Sequence, residues 1–195
     1  MTVQVRPLTG AALQAALGDL ARLRIAVFAA FPYLYAGTED YEREYLAEFT
    51  ASDDAVLVAA FDGNRIVGAA TASPLAAQDD YIRAPFERQG IDPASVFYFG
   101  ESVLLPDYRG QGIGHAFFDH REAAARAHGA SHASFCAVVR AADHPDRPAD
   151  YVPLDAFWTK RGYAPVPGLT GEFTWAEHGE SAESAKPMQY WMRAL

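Results

Sequence analysis

What most limits the folds open to this chain is a change of rhythm between Val96 and Val139. Val96–Leu105 is a continuous apolar run of strand composition, and a glycine-rich turn follows at Arg109-Gly110-Gln111-Gly112-Ile113-Gly114. Gly112–His128 then reads as a helix that Gly129 ends, and His132–Val139 is a second apolar strand. Strand, helix and strand in succession make a crossover, so the two strands run parallel. The unbroken apolar character of the second strand implies burial on both faces.

The rest of the chain supplies antiparallel partners. Val3 and Val5 alternate with polar neighbours in Thr2–Arg6, a short first strand. Thr9 can cap a helix with Leu13, Leu17, Leu20, Leu23 and Val27 on its apolar face, and Gly18 is placed to break it. Phe28–Gly37 is an aromatic loop, after which Thr38 caps a second helix reaching Phe49. Ala55–Phe61 and Arg65–Ser73 form a hairpin across Asp62-Gly63-Asn64. Pro74–Gly90 is helical or irregular, and Leu154–Arg161 is a short helix stopped by Gly162. Gly171–Ala176 and Met188–Met192 read as a terminal antiparallel pair. A mixed central sheet with helices on both faces is the economical arrangement. The expected class is therefore α/β, in one domain over residues 1–195.

Composition removes several function classes. A formal net charge of −9 disfavours a general nucleic-acid binder, which needs a basic face to displace counterions. No run approaches the ~20 apolar residues of a membrane span, and Met1–Gly10 lacks the pattern of a secretory signal. The single cysteine, Cys136, fits a reducing cytoplasm and reads as a small buried side chain in its strand.

The glycine turn is an anion site by its physics. The first amides of a helix lack internal acceptors, the helix dipole adds positive charge there, and glycine lets the backbone approach a diphosphate. Arg109 adds a formal charge. A Walker-type loop would need Lys and then Ser or Thr where His115 and Ala116 stand. The dinucleotide pattern fails as well: its third glycine falls on His115, and the following strand carries Phe135-Cys136-Ala137 in place of an acidic residue.

The run from Val103 through Leu104, Leu105, Pro106, Asp107, Tyr108 and Arg109 to Gly114 resembles the acyl-CoA signature of the GNAT superfamily of N-acetyltransferases, with Arg109, Gly112 and Gly114 at its defining positions. Phe157-Trp158-Thr159-Lys160-Arg161-Gly162-Tyr163 resembles a second family element, and the order of elements is similar along nearly the whole chain. The resemblance implies a mixed, mostly antiparallel sheet of six or seven strands with a splayed parallel pair. It implies acetyl-CoA as cofactor, with main-chain amides from Gly110 through Gln111, Gly112 and Ile113 to Gly114 on the pyrophosphate. Leu104 and Leu105 would offer main-chain groups to the pantetheine arm and thioester oxygen, and Phe157 would cover the arm's other side.

Acetyl transfer to an amine needs a base for the ammonium, a donor for the developing oxyanion and a proton for the thiolate. Glu101, on the strand before the turn, is the candidate base; the alternative is a structural pairing with a cation such as Arg140. The tyrosine that often serves as acid in the family is replaced by Trp158, whose indole N–H is a donor only. Either the thiolate leaves unassisted or another group supplies the proton; Tyr151 and His144 are the candidates, His144 lying in the polar loop Asp143–Pro148. Tyr33, Tyr35 and Arg140 are the candidates for the acceptor side. Glu39, Asp40, Glu42, Glu44 and Glu48 make the second helix acidic, which reads first as a solvated face. The six histidines show no metal-ligand spacing.

The expected acceptor is a small-molecule or peptide amine, with no nucleic acid or membrane partner; Tyr190, Trp191 and Met192 could pair across a homodimer. A non-catalytic acyl-CoA-binding module is the competing reading, and a nucleotide-dependent kinase is disfavoured by the missing phosphate and magnesium motifs.

Overall fold

The computed structural model describes residues 3–50 and 52–195. Strand β1 (Gln4–Leu8) starts beyond Thr2, which lies outside the described residues. Helix α1 (Gly10–Phe28) passes through Gly18 without the expected break. Nothing lies within 4 Å of a Cβ built there, so this glycine costs only helix propensity, about 1 kcal/mol. Helix α2 (Glu39–Phe49) begins as expected, with Thr38 Oγ1 accepting the Tyr41 N–H at 3.3 Å. The hairpin is β2 (Val56–Asp62) and β3 (Arg65–Pro74), and the segment after it holds a helix, α3 (Asp80–Arg88). Then come β4 (Val96–Leu104), α4 (Ile113–His128), β5 (His132–Val138), α5 (Asp155–Lys160), β6 (Ala164–Trp175) and β7 (Ser184–Ala194). No helix among the described residues is long and apolar enough to cross a membrane.

Among the described residues the strands form one seven-stranded sheet in the order β1-β2-β3-β4-β5-β7-β6, in which only β4 and β5 pair in parallel. The terminal pair is much longer than Gly171–Ala176 and Met188–Met192, because β6 starts directly after α5. Strand β7 is enclosed: Trp191 pairs with Phe135 of β5 on one side and with Pro165 of β6 on the other. Tyr190, Trp191 and Met192 therefore offer no free strand edge to a second copy, which corrects the pairing expected for them.

Helices cover both faces. On one, α1 and α2 bring Leu20, Leu23 and Leu46 against Leu57, Ala69 and Val103, and α3 sets Ile82 and Phe86 on Val96, Tyr98 and Tyr190. On the other, α4 packs Ile113 and Phe117 on Val58, Val67 and Ala70, while Phe118 and Tyr163 meet Phe97, Phe99 and Phe135.

Two departures from a regular sheet shape its centre. Pairing between β4 and β5 covers only Val96–His132, Phe97–Ala133 and Tyr98–Ser134, and past these residues the strands part. Where they part, β4 carries a bulge: Ala72 faces Phe99 and Ala70 faces Ser102, so Gly100 and Glu101 together oppose Thr71. A Cβ on Gly100 would lie 2.5 Å from Thr71 Oγ1, so only glycine fits beside Glu101 on that face. The bulge's loose polar groups are gathered from both sides. Thr71 Oγ1 accepts the Glu101 N–H at 3.2 Å, and Arg121 Nη1 donates to the carbonyls of Thr71 and Glu101 at 3.3 and 3.4 Å.

Candidate active site

The turn after β4 has the form of an anion cradle. Gly110 and Gly112 hold φ at +76° and +81°, left-handed values that favour glycine, and Gly112 is the cap of α4. Gln111 Nε2 closes the turn onto the Asp107 carbonyl at 3.1 Å. Tyr108 anchors the lead-in by donating to Asp62 Oδ2 at 2.7 Å. Among the described residues, the main-chain N–H groups from Gly110 to His115 donate to no protein acceptor; the first bond of the helix runs from Ala116 to the Gly112 carbonyl. Six adjacent N–H groups at a helix start, with the exposed Arg109 beside them, suit a diphosphate. Phe157 of α5 flanks this turn, with its Cζ 3.6 Å from a Cβ built on Gly114 and its ring centroid 4.8 Å from that of His115.

Strand β4 supplies main-chain groups selectively. The Leu105 N–H donates to the Val67 carbonyl at 3.0 Å, and the Leu105 carbonyl accepts from Tyr108 at 3.1 Å. The Leu105 N–H is therefore engaged within the protein, and its carbonyl keeps one lone pair. Val103 sits opposite Ala69, in the same hydrogen-bonding phase as Leu105 and turned toward β3, and its side chain is buried under α1. Leu104 and Ser102 lie in the alternate phase, opposite Gly68 and Ala70, so their polar groups point to the other edge, where β5 has already separated.

Glu101 lies at the bulge, its side chain 3 % exposed and turned toward α1 and α2. Its cation is Arg24 of α1, not Arg140: Arg24 Nη1 donates to Glu101 Oε2 at 2.7 Å, and the Tyr45 hydroxyl donates to the same oxygen at 2.8 Å. Glu101 Oε1 is buried and has no partner. Arg24 Nε reaches Glu42 Oε2 at 2.5 Å, and the Tyr35 hydroxyl donates to Glu42 Oε1 at 2.8 Å. Glu42, grouped by sequence with a solvated acidic face, is fully buried. The Arg24 guanidinium lies over the Tyr45 ring, 4.0 Å from its centroid. Burial, reinforced by the adjacent carboxylates, pushes Tyr45 and Tyr35 well above the usual tyrosine range, so both hydroxyls stay protonated donors. A narrow cleft of about 60 Å³ between α2 and α3, lined by Tyr45, Gln78, Asp79 and Tyr81 among others, leads along Tyr45. A larger groove of about 490 Å³ between α3 and β6 shares no residue with the cradle or the Glu101 network.

The remaining candidates gather around the aromatic loop. The Tyr33 ring lies between Phe28 and Trp175, and burial pushes its hydroxyl above the usual tyrosine range. Arg140 pins the loop, donating to the Pro32 and Tyr33 carbonyls at 2.7 and 3.2 Å and to Glu177. Phe31 brings His144 and Tyr151 together, at ring-centroid distances of 5.6 and 4.7 Å. His144 Nδ1 accepts the Asp146 N–H at 3.2 Å, and burial raises Tyr151 above its ordinary value. Trp158 packs against Phe135 and Trp191. Cys136 faces the Tyr98 hydroxyl at 3.2 Å, and burial pushes its thiol up to about 12, which suits a packed side chain.

Sequence reasoning missed Arg24, Glu42, Tyr45, Thr71, Ser102 and Arg121. For Arg24, Glu42 and Arg121 the signal was present, since each falls at a helical spacing otherwise filled by apolar residues.

Among solved structures this chain is similar to a ribosomal-protein-alanine N-acetyltransferase from Brucella melitensis, at 14% identity and TM-score 0.61, covering 98% of this chain and 99% of that one. It is similar to an acetyltransferase of the GNAT family from Streptococcus pneumoniae, at 13% identity and TM-score 0.59, with both chains covered completely. It is also similar to AAC(6')-Iy in complex with the bisubstrate analog CoA-S-monomethyl-acetylneamine, at 15% identity and TM-score 0.53, covering 83% of this chain and 87% of that one. No curated protein matches. At these identities the structures speak for the fold alone, but the acetyltransferase (GNAT) family itself matches residues 22–149, from within α1 to the loop after β5. The chain belongs to the acetyltransferase (GNAT) family and is an N-acetyltransferase.

Proposed function

We propose that the chain, acting as one unit over residues 1–195, transfers an acetyl group from acetyl-CoA to a primary amine by direct attack in a ternary complex. The observation that carries this reading is the run of unpaired main-chain N–H groups from Gly110 to His115 beside the opened β4–β5 pair. Acetyl-CoA supplies an activated thioester. Gly110, Gln111, Gly112, Ile113 and Gly114 hold its diphosphate, Arg109 adds a charge, and Phe157 flanks the pantetheine. The Leu104 N–H, freed by the phase of its strand, is the donor for a developing oxyanion, and Ser102 offers a second outward-pointing group.

Glu101 takes the proton of the acceptor ammonium. Both of its hydrogen bonds fall on Oε2, so the bare Oε1 is the oxygen that receives it. Two buried carboxylates against one guanidinium leave a surplus negative charge, which favours a cationic acceptor. The acceptor is a small-molecule or peptide amine. Tyr33 and Tyr35 wall its side of the site, and Arg140 contributes by fixing the loop that carries them. Tyr151 and His144 are the residues placed to return a proton. A non-catalytic acyl-CoA-binding module is favoured by one observation, the aromatic packing of Trp158 where a proton-donating tyrosine would serve.

Thiol release from acetyl-CoA across a panel of amines separates the two readings. Turnover should fall at least about 100-fold in Glu101→Gln, in line with loss of a general base, while calorimetry shows unchanged coenzyme A affinity. Absence of turnover with every amine would favour the binding module. Loss of coenzyme A binding in Gly110–Gly114 variants tests the cradle separately.

A further inference from the structure

We propose that Arg24 and Glu42 are a positioning pair that sets how strongly Glu101 holds a proton, Glu42 drawing off part of the Arg24 charge that Glu101 would otherwise receive whole. The inference rests on the reading of Glu101 as the base.

The geometry is unequal in a telling way. Arg24 donates through Nε to Glu42 Oε2 at 2.5 Å and through Nη1 to Glu101 Oε2 at 2.7 Å, so one guanidinium is divided between two carboxylates. Glu42 is completed, with one donor on each oxygen: Arg24 on Oε2 and Tyr35 on Oε1. Glu101 is left incomplete, with Arg24 and Tyr45 both on Oε2 and nothing on Oε1. A carboxylate wholly neutralised by its own arginine is a poor base, and a buried one without a cation is protonated before it can act. Sharing one arginine between two carboxylates leaves Glu101 only part of that charge, and the fixed Oε2 keeps the bare oxygen in one place.

The groups facing Glu101 can be named from each packed element. Arg24 comes from α1, with Glu42 of α2 behind it, and Tyr45 also comes from α2. Thr71 of β3 meets the Glu101 main chain, and Arg121 of α4 meets the Glu101 carbonyl from the opposite face. Tyr98 lies earlier on β4, bonded to Cys136. Of these, only Arg24 carries a charge in direct contact with the Glu101 carboxylate, and only Glu42 competes for it.

The test needs no acceptor. Protein labelled with ¹³C at the glutamate carboxyl carbon is titrated by NMR, and the Glu101 signal is identified by its absence in Glu101→Gln. In Arg24→Met the midpoint should rise by about 1–3 pH units, the range for removing a close opposite charge. In Glu42→Gln, an isosteric change that keeps a hydrogen-bonding group for Tyr35, it should fall by about one unit. Arg24→Lys should recover most of the wild-type midpoint. Movement of both variants in the same direction, or an unmoved midpoint in either, overturns the proposal. If Arg24→Met does not fold, Glu42→Gln decides alone: a fall supports the pair, and a rise or no change overturns it. The base reading is judged separately, by turnover of Glu101→Gln, so the two can fail independently.

Discussion

Arg24, Glu42 and Arg121 each stand where helical spacing asks for an apolar side chain. Arg24 follows Leu13, Leu17 and Leu20 on α1, Glu42 precedes Leu46 and Phe49 on α2, and Arg121 falls between Phe117 and Ala125 on α4. A charge removed from water this way must find partners inside. Arg24 and Glu42 find each other, whereas Arg121 has only carbonyls and the rings of Phe99 and Phe118, at 4.5 and 4.8 Å from their centroids. Desolvation accordingly pushes the Arg121 guanidinium down to about 10. The cradle depends on another residue-scale property. Nothing lies within 4 Å of a Cβ built on Gly112, so Gly112→Ala tests conformation rather than crowding. It should cost about 1–2 kcal/mol in urea-melt stability, the penalty for a left-handed alanine. By turning the N–H groups away from their common target, it should also weaken coenzyme A binding on the order of tenfold by calorimetry, about 1.4 kcal/mol.

At the scale of elements, most of the architecture was readable in the sequence, because period and punctuation are local. The crossover, the hairpin, the Thr38 start and the Gly129 and Gly162 stops all follow from neighbours a few residues apart. The glycine cradle was legible for the same reason. The Glu101 network was not, because Arg24 and Glu101 are separated by 77 positions and only the folded chain brings them together. The engagement of the Leu105 N–H was not legible because the phase of a strand is set by its neighbour, here by the bond to Val67. The wall around the aromatic loop is likewise non-local: the β6–β7 turn is tied to it through Arg140 and Glu177, and Glu177 shares Lys186 with Glu180. The Glu177 N–H, then the Ser184 hydroxyl and Lys186, hold the Glu180 carboxyl down to about 2. A carboxyl with a depressed folded-state value stabilises the fold above its ordinary range, and that contribution is lost as pH falls toward the folded value. The turn should therefore loosen between about pH 4.5 and about pH 2, and hold above that window. The indole N–H resonance of Trp175, which donates to the Tyr33 carbonyl at 2.9 Å, reports it, and Glu180→Gln should show the loosened signal already at neutral pH.

For the whole molecule, the net charge of −9 sets the terms on which ligands arrive. On the proposed function, an anionic coenzyme would approach against the long-range field and be captured only at short range by the cradle, whereas a cationic acceptor would be drawn in. Raising salt from about 10 to about 150 mM shortens the screening length from roughly 30 to 8 Å. Stopped-flow association of coenzyme A should then quicken a few-fold, while kcat/KM for a cationic amine should fall by a similar factor. Both trends would be reversed in a protein whose global charge matched its cofactor site. The surplus residue in β4 has a wider consequence. Ahead of it Val96 and Tyr98 look toward α3, and beyond it Glu101 and Val103 look toward α1 and α2, so the change of phase falls where the pairing with β5 ends. The extra residue and the parting of the sheet thus belong to one stretch of chain: deleting Gly100 would restore regular pairing with β3, leaving Glu101 alone opposite Thr71 and every later residue on its present face, so the loss would be confined to the kink where β5 departs.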